Sequence, residues 1–217
     1  MVSYQGMPHY MRAAKFFMIS LCLFIGTTTF SVISGAKTAV PARLNSQDKQ
    51  DLKRISAYLK NLGTIKGGFI QVASNGGTSS GKIFISRPGK MRIEYDPPSP
   101  ILIIANGTFL IFIDKDLEQV DRYLLKFTPV NFLLQEDIQM EGNITVSNFE
   151  RARGFLRITV QETNEPERGS LTLTFADKPL MLRKWTVLDS QQIRTNVMLT
   201  GIESGMELDT KLFEYNQ

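Results

Sequence analysis

The side chains best suited to catalysis are nearly absent from this 217-residue chain, whose only histidine is His9 and whose only cysteine is Cys22. Both fall in an N-terminal stretch that reads as a segment to be removed. The remainder then has no thiol nucleophile, disulfide, imidazole base or Cys/His metal site. Carboxylate or Ser–Lys chemistry stays open in principle, but the acids do not assemble for it. No paired acids fall on one strand face, and DKDLE (Asp114–Glu118) lacks the regular spacing and the glycine of a calcium loop. The expectation is a protein that is not an enzyme, with no catalytic residue, metal or cofactor. One cation stands out instead. In GKIFISRPGKMRIEYDPPSP (Gly81–Pro100) a strand puts Ile83, Ile85 and Arg87 on one side. A guanidinium at the end of an apolar face is costly unless something accepts its hydrogen bonds. A surface acid such as Glu94 or Asp96 is the plain candidate.

The segments around Arg87 set the frame. Arg12 and Lys15 precede an apolar run, Phe16–Gly26, and then TTTFSVISGA, in which Ser34 and Ala36 stand as a cleavage site. That is the layout of a secretory signal peptide, residues 1–36, cleaved to leave one domain over 37–217. The apolar run is shorter than the roughly 20 residues a membrane span needs, so an uncleaved anchor is the lesser reading. Met11 is an alternative start. Cys22 follows Leu21 rather than a small residue, which speaks against lipid attachment. Losing Arg12 and Lys15 takes the formal net charge from +4 to +2. That balance argues against nucleic acid as a partner.

Leu44–Leu62 has helical spacing, with Ser46 placed to cap it, Leu52, Ile55, Leu59 and Leu62 on one stripe, and Gly63 to end it. Beyond Gly63 the period falls to two. Gly67–Ser74 and Lys82–Arg87 read as strands, followed by a turn at Pro88-Gly89. Met91–Tyr95 sets Met91, Ile93 and Tyr95 on one face. Ile101–Ile113 reads as a hairpin about Asn106-Gly107, apolar on both faces. A short strand is expected over Leu117–Leu124 and a short helix over Thr128–Glu136, with Pro129 at its first position. Gly154–Gln161, Ser170–Phe175, Met181–Asp189 and Gln192–Thr200 form a meander. Trp185 shares a face with Val187 and reads as core. The sum is roughly nine to eleven antiparallel strands and little helix, a sheet that must curl, close or be covered.

FIQ (Phe69–Gln71), GKIFISRPGKMRIEY, PILIIANGTFLIFI and TPVNFLL, in that order behind a signal peptide, resemble the outer-membrane lipoprotein carrier protein (LolA) family. The resemblance implies a mainly β fold: an unclosed, strongly curved antiparallel β-barrel with a helical lid over an apolar cavity. It implies a periplasmic carrier, a monomer. Such a carrier takes acylated lipoproteins from an ATP-driven, ABC-type release complex of the inner membrane to an outer-membrane acceptor. Arg87 falls where the family's arginine hydrogen-bonds to backbone carbonyls of the lid and holds the empty form closed. Leu52, Ile55 and Leu59 fall on the lid helix. The implied cavity lining is Phe69, Ile83, Ile85, Met91, Ile93, Phe109, Ile111, Phe132, Leu133 and Trp185. Met91 and Ile93 stand where the family often has aromatics. A lipid-sensing or regulatory binding domain on the same scaffold is the alternative.

Overall fold

The structure is a computed structural model that describes residues 38–136, 138 and 140–215. The expected signal peptide and its cleavage point lie outside the described residues. Helix α1 spans Ser46–Asn61 and buries Leu52, Ile55 and Leu59, the expected stripe. Asn45, not Ser46, caps it. Asn45 is extended, its side chain accepts from Asp48 N (2.9 Å), and the Asp48 carboxylate accepts from Asn45 N (3.1 Å). That reciprocal box satisfies two of the helix's orphan groups and leaves Ser46 as the first helical residue.

Eleven strands follow: β1 (Thr64–Ala73), β2 (Thr78–Ser86), β3 (Lys90–Tyr95), β4 (Ile101–Asn106), β5 (Phe109–Asp114), β6 (Gln119–Leu124), β7 (Ile144–Ala152), β8 (Phe155–Glu162), β9 (Gly169–Ala176), β10 (Met181–Asp189) and β11 (Arg194–Ser204). They form one sheet in the order β6-β5-β4-β3-β2-β1-β11-β10-β9-β8-β7, with every pair antiparallel. β6 and β7 are the two edges and do not pair, so the barrel is unclosed. β7 is the strand that alternation does not announce. As an edge it buries only Val146.

The sheet wraps round one hydrophobic core. Met91 and Ile93 of β3 share it with Leu156, Leu173, Trp185 and Val197 from the far half, and α1 supplies Ile55 and Leu59. A 3-10 turn (Leu125–Phe127) and a four-residue helix α2 (Asn131–Leu134) follow β6 and cover the rest of the concave side with Leu125, Val130, Phe132, Leu133 and Leu134. The helix expected over Thr128–Glu136 is therefore real but shorter. Among the described residues no helix is long and apolar enough to cross a membrane.

The doubly apolar hairpin is covered on both sides. Leu102, Ile104, Ile111 and Ile113 form a second cluster on the convex face, with Phe109, Val120 and Tyr215 against it. The C-terminal segment lies there: Phe213 is buried, and Arg92 donates to Leu212 O (3.0 Å). This corrects two expectations. Phe109 and Ile111 face away from the interior, and Leu110 and Phe112 take the inner side. With both faces apolar, composition did not favour either register.

Candidate functional site

Arg87 stands one residue past β2, where the apolar inner face of that strand runs out. One terminal nitrogen donates to the carbonyls of Leu59 and Leu62 (3.2 Å to the latter). The other donates to the carbonyls of Gln135 and Glu136 (3.4 Å to the latter). These acceptors lie at the C-terminal ends of α1 and α2. The last carbonyls of a helix have no partner within it and carry the negative end of its dipole. A single cation thus satisfies the ends of both covering helices. Burial lowers the Arg87 pKa, yet an arginine starts high enough to stay charged. The flanking backbone adds two further ties, Arg87 N to Gly63 O (2.8 Å) and Gly89 N to Leu134 O (2.7 Å). The acids nearby are otherwise engaged: Glu94 accepts from Arg92 (2.6 Å) and Asp96 from Ser80 (2.8 Å).

Beneath the cover the expected lining residues divide. Phe69, Ile83, Ile85, Phe132 and Leu133 lie buried in the core cluster, together with Leu52, Ile55 and Leu59 from α1. Met91, Ile93 and Trp185 line a hollow, with Ile103, Leu110, Phe112, Val130 and Val197 among its other walls. The hollow measures about 70 Å³. Ligand pockets commonly run to roughly 300–1,000 Å³. The cavity that the sequence leads one to expect is therefore largely filled by side chains in this state. Its outer end is polar, with Gln71, Ser79, Ser99 and Thr195. There the Tyr95 hydroxyl donates to Gln71 Oε1 (2.6 Å), and burial pushes the phenol's pKa up.

A charged cluster on α1 was not read from the sequence. Asp51 is 3% exposed and accepts from Arg54 (2.6 Å) and from Arg151 of β7. Arg54 continues to Asp177 (2.9 Å), in the turn between β9 and β10, and Arg151 to Asp48 (3.2 Å). Tyr58 of α1 accepts from Leu182 N (3.1 Å). Burial alone would raise the Asp51 pKa, but the Arg54 hydrogen bond and the Arg151 charge hold it below the usual carboxylate value. The available signal was an acid next to the apolar stripe with an arginine three residues on.

An unclosed antiparallel barrel, wrapped round an apolar interior and covered by short helices that one arginine ties down, defines the class of this protein. The chain belongs to a family: the sequence model for the outer membrane lipoprotein carrier protein LolA matches residues 60–216. Arg87 and α2 therefore lie within the matched span, which begins at the last turn of α1. An uncharacterized protein of Rickettsia prowazekii is 28% identical over 164 residues, 76% of each chain. The outer-membrane lipoprotein carrier protein of Azotobacter vinelandii is 28% identical over 178 residues, 77% of this chain and 84% of that one. Among solved structures, a LolA superfamily protein from Nitrosomonas europaea covers 75% of this chain and 97% of its own at 7% identity and a TM-score of 0.41.

Proposed function

We propose that this protein carries acylated lipoproteins through the periplasm by enclosing their acyl chains in its apolar interior. It collects them from an ABC-type release complex in the inner membrane and delivers them to an outer-membrane acceptor. Family membership and the names of the curated relatives support the carrier reading. The observation that carries it is Arg87 bonded to the ends of both covering helices above an apolar interior. Each buried methylene is worth about 0.8 kcal/mol, so a lipid-modified cysteine is held in a membrane by tens of kcal/mol. A soluble carrier must offer an equally apolar environment, or transfer stalls. It must also release its cargo. Hydrogen bonds broken on opening subtract from cargo affinity and keep the exchange reversible.

The test is direct binding. The protein from residue 37 onward is mixed with a peptide carrying a triacylated cysteine, or with the same peptide lacking acyl groups. The carrier reading expects a one-to-one complex with the acylated peptide alone. Equal binding of the two peptides, or binding of neither, overturns it.

A further inference from the structure

A groove runs along the open seam of the barrel, outside the hollow and bordering the latch at Gln135. One wall is the cover, from Phe127 to Gln135, and the other is the sheet near the β7 edge. Its floor is apolar, with Phe132, Ile144, Val160 and Leu171. Its outer part, about 420 Å³, is lined by the carboxamides of Asn131 and Gln135 on the cover and of Asn143 and Asn164 on the opposite loops. Among the described residues none of these four carboxamides is committed to a hydrogen bond. Across the seam the Arg168 guanidinium lies 4.6 Å from the centre of the Phe127 ring, and Lys126 lies 4.8 Å from the same ring. Arg168 is held in turn by Glu165 (2.7 Å) and Glu162 (3.3 Å).

Two features fix what suits this groove. The first is continuity with the interior. Val130 lines the hollow, while its neighbours Pro129, Asn131 and Phe132 line the groove. The cover segment is thus the partition between the two spaces, and lifting it joins them. The second is chemistry. A peptide backbone presents N–H donors and C=O acceptors in alternation, and a carboxamide is the side chain that offers both. The charges along the rim nearly cancel, with Glu141, Glu162 and Glu165 facing Lys126 and Arg168. That favours an uncharged polar chain over a phosphate or a polycation.

We infer that the seam groove holds an extended, uncharged stretch of peptide running on from an acylated residue whose chains occupy the interior. This rests on the carrier reading and adds the site at which the protein part of the cargo leaves the barrel.

The test compares two ligands: a triacylated cysteine followed by eight Ser, Gly and Asn residues, and the same triacylated cysteine closed as a methylamide. Affinities are measured for the wild type and for the double variant Asn143→Ala, Asn164→Ala, both at exposed positions away from the latch. The inference expects the wild type to bind the tailed ligand about ten-fold more tightly, the worth of one or two net hydrogen bonds. The double variant should lose that preference while binding the methylamide as before. Equal affinity of the wild type for both ligands, or an undiminished preference in the variant, overturns the groove assignment and leaves the carrier reading standing. Binding of neither ligand overturns both.

Discussion

Arg87 draws four backbone carbonyls to one guanidinium, and one of them, Leu59 O, also accepts from Leu62 N (3.2 Å). The carbonyls of Leu59, Leu62, Gln135 and Glu136 come from the ends of two helices, and their shared donor is a cation. Hydrogen bonds to charged groups contribute roughly 1.5–3 kcal/mol each. One donor of the same guanidinium, Nε, is buried with no partner among the described residues, and such a group costs about 1–3 kcal/mol. Arg87→Leu should keep the fold and shift the open–closed balance by about 2–4 kcal/mol toward open. Handover of a bound lipopeptide to acceptor vesicles should slow at least ten-fold, as read from a fluorescent acyl chain. Unchanged transfer would remove the latch from the account. Asp51 carries a second prediction. Its pKa is depressed in the fold, so its contribution to stability is present above the ordinary carboxylate value and is lost as pH falls through the lower, folded value. Melting curves should therefore show a fall in Tm on acidification below about pH 4 that Asp51→Asn flattens. Near neutral pH the same variant should lose about 1–2 kcal/mol, less than a fully buried pair because Arg54 and Arg151 remain part-exposed. Arg87 was legible because alternation with Ile83 and Ile85 placed it on the inner face. Asp51 was not, because the partner that makes its burial tolerable, Arg151, lies 100 residues away.

The two covering helices are fixed to very different degrees. α1 has a capping box, the Asp51–Arg54–Arg151–Asp177 network and the Tyr58–Leu182 bond. α2 has four residues, no side-chain cap, and ties through Arg87 and Gly89. Isolated helices of that length have no stability of their own. On the carrier reading, opening is therefore expected at α2 and its flanks, with α1 staying on the sheet. The turn beside Arg87 holds this arrangement. Gly89 has φ +76°, and a Cβ there would stand 2.8 Å from Gly107 Cα. Gly89→Ala should cost about 1–3 kcal/mol by urea unfolding and loosen α2. A neutral result would show that the turn relaxes freely. The strands were legible wherever one face is buried and the other wet, as in β3 and β9. β7 escaped because it is an edge with one buried side chain, and β5 was placed but not oriented because the C-terminal segment gives it a second apolar face.

Taken whole, the molecule is a barrel whose interior is mostly occupied by its own side chains. A hollow of about 70 Å³ falls well short of the roughly 300–1,000 Å³ of common ligand pockets. On the carrier reading, cargo is expected to displace the covering side chains, Val130 and Phe132 first, since they form the partition between the hollow and the seam. The sequence made the apolar inner face legible but not how full the interior is, because filling depends on how tightly the sheet curls. Closing the seam offers a check at this scale. A reducible cross-linker spanning the groove from Asn131→Cys on the cover to Asn143→Cys on the opposite loop should abolish loading of a triacylated peptide, and its reduction should restore loading. Loading in the cross-linked form would place the port elsewhere. The most direct measurement of the central claim is hydrogen exchange at the Gly89 amide, which donates to the Leu134 carbonyl of the cover (2.7 Å). Saturating the protein with a triacylated peptide should raise exchange at that amide at least ten-fold while the amides of α1 stay protected. Protection at Gly89 that is unchanged or increased on loading would contradict a carrier that opens by releasing this cover.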